Sequence, residues 1–142
     1  MANTGYASFK ATLDKTNRVL KEIEAAYGWP KERRNQSYAA LRAVLHGLRD
    51  RLPVQEAAQL GAQLPMLIRG IYYEGWNPAK VPMKMGRDEF LARVRREFGY
   101  EVGGGIEDLT RSVLEALRHH VSDGEWEDIR SGMPNELAAM LP

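Results

Sequence analysis

Residues 37–53, SYAALRAVLHGLRDRLP, decide the fold. Leu41, Val44, Leu45, Leu48 and Leu52 recur at steps of three and four, the spacing that lines apolar side chains along one helix. Pro53 closes the run because its ring clashes with the turn before it, and the Ser37 hydroxyl suits the helix start as an N-cap. The same pattern returns 69 positions later. Val113 repeats Val44, Leu114 repeats Leu45, Leu117 repeats Leu48, Arg118 repeats Arg49 and Val121 repeats Leu52. The register continues without a gap through Glu125 on Glu56, Ile129 on Leu60, Pro134 on Pro65 and Leu137 on Ile68. Amphipathicity alone does not carry one register through three helices and two turns, so the chain reads as a tandem duplication.

Outward from that core, the segment upstream places Phe9, Leu13, Thr16, Leu20, Ile23 and Tyr27 on one helical stripe, with Lys10, Asp14, Lys15, Arg18 and Glu22 on the other faces. Gly28, followed by Pro30, is ordinary helix-exit chemistry. This helix matches the second half at a shift of 71, pairing Val19 with Phe90, Ile23 with Val94, Tyr27 with Phe98 and Gly28 with Gly99. Downstream, a short helix over Val54 to Leu60 ends near Gly61. Pro65 then opens another that carries Met66, Leu67, Ile68, Ile71 and Tyr72 toward the core. In the second half, Gly103 to Gly105 form a flexible joint, Ser122 and Glu125 form a capping box, and Gly132 with Pro134 punctuate a last helix.

The expectation is all-α: a compact bundle of about eight helices, four long or medium and four short. Repeat 1 spans about 7–75, a linker rich in turn residues spans 76–86, and repeat 2 spans about 87–141, all within one domain covering 1–142. One unit of four helices cannot cover its own apolar stripes. The two copies are therefore expected to pack face to face about a pseudo-two-fold axis rather than open into a solenoid.

Composition narrows the function classes. The chain has 142 residues, 44% hydrophobic and 27% charged, which suits one folded core. Twenty basic residues against nineteen acidic ones give a net charge of +1, so there is no global pull toward nucleic acid or anionic lipid. The absence of cysteine excludes disulfides, thiolate metal sites and cysteine nucleophiles. No stretch has the length and apolarity of a signal peptide or a membrane span, and the expected location is the cytoplasm, with no membrane partner.

The run from Ser37 to Pro53, continued by Gln63-Leu64-Pro65 and by Gly70-Ile71-Tyr72-Tyr73-Glu74-Gly75-Trp76, resembles the bacterial domain-of-unknown-function family 2267 (DUF2267). His120 to Arg130 with Met133-Pro134 resembles the closing segment of that family. The resemblance implies a compact helical fold in a small cytosolic bacterial protein. It brings no catalytic residues to carry over.

Candidate sites are few. His119 and His120 are neighbours that point about 100° apart on a helix. His46, one step from Leu45, is placed on a surface-facing turn. The histidines therefore do not converge as a metal site would require. Ser37 and Ser122 read as caps rather than nucleophiles, since neither lies in a glycine-flanked elbow. Glu107 and Asp108 after the glycine joint would repel a phosphate. No catalytic residue, metal ligand or cofactor is expected. Two surfaces stand out. Tyr73 and Trp76 near Arg69 have the composition of an interface anchor, with the alternative that Trp76 folds back as a plug over the bundle end. Lys31, Arg33 and Arg34, and separately Arg93, Arg95 and Arg96, are basic clusters of the kind phosphate contacts require. Met66 to Tyr72 is too apolar for a recognition helix. The favoured function is a non-enzymatic interaction or scaffold module that binds a protein partner or itself. The alternatives are a nucleic-acid-associated protein using Lys31 to Arg34, and a small-ligand binder or enzyme without a recognisable motif.

Overall fold

The computed structural model describes residues 6–142, and within them every regular element is helical. In chain order these are α1 (Ala7–Tyr27), α2 (Arg34–Arg51), α3 (Val54–Gln63), α4 (Met66–Tyr73), α5 (Arg87–Phe98), α6 (Gly105–Arg118), α7 (Asp123–Ser131) and α8 (Asn135–Ala138). Single 3-10 turns stand at Lys31–Arg33 and Pro78–Lys80. No helix is long and apolar enough to cross a membrane among the described residues.

Helix α2 is the axle. It packs against α1, α4, α5 and α6, so it has almost no solvent face, and Ala40 through Asp50 are all buried except Arg42. Its small residues permit this close company. At Gly47 the Phe90 ring lies where a Cβ would meet it at 3.3 Å, so α5 rests almost on the α2 backbone. The apolar residues of the quoted stretch form the core, with Val44, Leu45, Leu48 and Leu52 facing Val113, Leu114, Leu117 and Trp126 from the second half.

Two expected caps form differently. Helix α2 begins at Arg34, so Ser37 lies inside its first turn, fully buried, and donates to Glu24 of α1 at 2.6 Å. The Glu24 carboxylate sits at that helix start, and the hydroxyl, one turn inside the helix, lies between it and the Arg34 carbonyl at 3.0 Å rather than accepting from a free amide. At α7, Ser122 Oγ accepts from the Glu125 amide, but the Ser122 amide is taken by Gln63 Oε1 at 2.7 Å. The reciprocal half of the box is thus supplied from α3. The glycine exits are as expected: Gly28 and Gly99 both take the left-handed conformation, at φ of 64° and 77°, which an L side chain resists.

Most of the helix contacts come in matching pairs, the packing of α4 on α2 and α3 being the exception. α1 packs on α2 and α5 on α6; α2 packs on α5 and α1 on α6; α1 packs on α4 and α5 on α8; α2 meets α6 and α3 meets α7. Backbone hydrogen bonds at the turns recur at the 69-residue shift. Leu52 bonds the Arg49 carbonyl as Val121 bonds that of Arg118, and Arg69 bonds Pro65 as Ala138 bonds Pro134. The connecting stretch is strapped onto α2, the Met83 amide donating to the Asp50 carbonyl at 2.7 Å and Arg51 donating to the Met85 carbonyl.

Candidate functional site

Helix α4 is apolar around most of its circumference, and the core can use only one side of it. Ile68 and Tyr72, four apart, point inward and are fully buried. Tyr72 donates from its hydroxyl to the Ala57 carbonyl at 2.7 Å, and burial pushes that phenol well above its ordinary pKa. Met66 and Leu67, read from the sequence as core, are instead 55% and 41% exposed. Across from them stand Phe9 and Leu13, which continue the α1 stripe but are also exposed, at 52% and 44%. The α1 helix, about 30 Å long at 1.5 Å per residue, carries its first two turns past the buried Thr16, Val19, Leu20 and Ile23.

Between these walls runs an open apolar groove of about 560 Å³, floored by Thr12, Gly70 and Ile71 and flanked by Tyr38. The walls are held in place. The Thr12 hydroxyl accepts from the Leu67 amide at 2.8 Å, joining α1 to the start of α4. Tyr6 packs its ring 5.0 Å from Phe9. At one end a charged rim begins at Glu74, which accepts two hydrogen bonds from Arg42, at 2.7 and 3.0 Å. Arg42 also donates to Glu97 at 3.0 Å, and Glu97 lies 2.8 Å from His46 Nδ1. Burial alone would raise the Glu97 carboxyl, but the hydrogen bond and charge of His46, with the Arg42 and Arg93 guanidinium groups, hold it below its ordinary range.

The second half has no equivalent of this groove. Helix α5 is 12 residues long against 21 in α1, and α8 has 4 against 8 in α4. At the 71-residue shift, Phe9 and Leu13 correspond to Lys80 and Lys84, in the connecting stretch. Glu136 instead fills the corner, accepting from the Arg87 amide at 3.1 Å.

The residues singled out from the sequence are placed as follows. Arg69 commits its guanidinium to the end of α3, donating to the carbonyls of Gly61, Leu64 and Ala62 at 2.8, 2.9 and 3.3 Å. Tyr73 and Trp76 lie with tilted rings 5.3 Å apart and pack, partly buried, against the core, with the Trp76 indole nitrogen buried and unbonded. None of the three lines the groove. In the basic tract, Lys31 and Arg33 are exposed, whereas Arg34 makes a bidentate pair with the buried Glu24, both bonds 3.0 Å. In the other cluster, Arg93 pairs with Asp50 at 2.6 Å, Arg95 donates to the Tyr100 carbonyl, and Arg96 is exposed.

His46 is not on a surface-facing turn: it is 4% exposed, with Nε2 2.8 Å from the Ile71 carbonyl. Because α2 is surrounded on every side, the turn that looked free lies under α4 and α5. His119 pairs with Glu22 on the surface, and His120 is partly buried, which lowers its pKa. The groove went unread in the sequence because an apolar stripe does not say which of its residues the core will leave uncovered. The available signal was that α1 and α4 carry more apolar positions than one contact face can absorb.

No curated protein matches the chain. A family model does, over residues 16–140, so its match begins at the start of the buried part of α1 and takes in the α2 and α4 sides of the groove, with Phe9, Thr12 and Leu13 lying before it. That match spans nearly the full length, and the chain belongs to the DUF2267 family, described as an uncharacterised conserved protein.

Proposed function

We propose that the chain is a non-enzymatic interaction module whose groove between α1 and α4 receives an apolar segment of a protein partner. The observation that carries this reading is the gathering of Phe9, Leu13, Tyr38, Met66 and Leu67, each more than two-fifths exposed, around one concave surface. Isolated exposed apolar residues are normal on any protein, but a contiguous apolar patch with a polar rim is the ordinary form of a binding surface. Its shape suits an amphipathic helix laid between two helices, with anchors at helical spacing and the Arg42–Glu74 pair available to a polar group at the rim. The rim charges would set orientation more than affinity.

The test compares Leu67→Asp and Phe9→Asp with the unaltered chain. Both positions are exposed, so circular dichroism and melting temperature should stay close to wild type. Proteins co-purifying from the native organism at moderate salt, with nuclease present, should be recovered by wild type and by Lys31→Glu but not by the groove variants. If light scattering shows wild type as a dimer and the groove variants as monomers, the occupant is a second copy. An unchanged set of partners with either aspartate in the groove, or recovery lost on nuclease treatment, defeats the reading.

A further inference from the structure

Helices α3 and α7 meet like with like, and the contact brings Glu56 and Glu125, which share one position in the 69-residue register, toward each other. Equal residues facing one another at such a contact bring equal charges together. Asp128, one helical turn after Glu125, joins them, so that one carboxylate oxygen from each of the three lies within 4.8 Å of the other two.

We propose that Glu56, Glu125 and Asp128 bind a hard divalent cation across the contact between α3 and α7. Two observations support this site. The spacing fits: ligand oxygens 2.3–2.6 Å from a calcium-sized ion can be at most about 5 Å apart, and all three pairs fall inside that limit. The burial is the second. Glu125 is only 8% exposed, and its Oε2, like Oε1 of Glu56, is buried with no hydrogen-bond partner. Such an oxygen loses its water without gaining a donor, which is costly for a charged group left uncompensated.

A proton shared by Glu56 and Glu125 would satisfy only their two orphaned oxygens, whereas a divalent ion would also draw in Asp128 from the solvent side of the cluster. With no histidine or cysteine in the set, the donors are hard oxygens, which select calcium, manganese or magnesium over zinc or copper. Asp128 is exposed, so water can complete the coordination sphere on that side.

The experiment uses the full chain, stripped with chelator and titrated with manganese at about pH 8, where the proton on Glu125 competes least. Free manganese is read from its paramagnetic resonance signal. The expected result is saturable uptake of one ion per chain with Kd below about 1 mM, displaced by calcium. Uptake should weaken as the pH falls, since protons compete with the ion for the carboxylates. Asp128→Asn, a change at an exposed position, should weaken it at least tenfold with the helix content intact, and Glu125→Gln should abolish it. No saturable uptake by about 10 mM, or uptake unchanged in Asp128→Asn, overturns the site. If Glu125→Gln does not fold, the Asp128 variant alone decides. Where the site is overturned, Glu56 and Glu125 simply share a proton.

Discussion

His46 is held between two acceptors, the Ile71 carbonyl and the Glu97 carboxylate, each 2.8 Å from a ring nitrogen. One helical turn on, Arg49 is 3% exposed and each of its three guanidinium nitrogens is bonded, to Asp50 at 2.8 and 3.1 Å and to the carbonyls of Tyr72 and Glu74. Charges at such depth persist because their nitrogens and oxygens find partners. Burial alone would raise the carboxyls of Glu24, Asp50 and Glu97, but the bonded cations hold all three below their ordinary values of 4.5, 3.8 and 4.5. Groups whose pKa falls on folding contribute stability that is complete above the unfolded value and lost as the pH drops through the folded one. The melting temperature should therefore fall steadily below about pH 4.5. Glu97→Gln should cost about 2 kcal/mol at pH 7, because it leaves His46 and Arg42 without their charged acceptor. That gap should shrink toward zero near pH 3, where the native carboxylate is itself protonated; a gap of constant size would place the effect elsewhere. None of this pairing was legible in the sequence, since a residue's neighbours along the chain do not tell which helices will cover it.

At the scale of the helix, existence and the glycine and proline termini were readable, but the start of α2 and the outer faces of α1 and α4 were not. The glycine exits and proline starts followed from backbone sterics, which act within a few residues. Which side of α4 would be inward depended on where α1 and α3 settled. Met66 and Leu67 consequently ended in the groove rather than the core, and Ser37 ended on Glu24 rather than at a cap. The α3–α4 contact is the closest of these. Gly61 lies under Tyr73, and a Cβ there would stand 2.4 Å from its hydroxyl oxygen and 3.1 Å from the Tyr72 ring. Gly61→Ala should then destabilise by about 1–3 kcal/mol despite alanine's better helix propensity. A urea midpoint equal to or above wild type would mean that the two tyrosines can shift aside at little cost.

For the whole molecule, the register of 69 residues was visible because core positions constrain residue type in both halves alike. The paired helix contacts and recurring turn hydrogen bonds support the proposal that the chain is a duplication whose copies share one core. The groove is where the halves differ, since the second half is too short at both helices to build one. Differences of that kind leave no periodic trace, and so the best candidate surface was the part least visible beforehand.

The strap between Gly75 and Gly86 crosses α2 with Asn77 to Lys80 exposed, while α2 itself is gripped by helices from beyond the strap. A site-specific protease sequence inserted after Lys80 would let the peptide be severed there without touching the exposed Lys31, Arg33 and Lys84. The nicked material should run as two bands on a denaturing gel yet travel as a single species through a sizing column, like a clasped pair of hands whose sleeve has been cut. Two separate peaks would mean that the peptide link, rather than the mutual embrace of the fragments, keeps them in company.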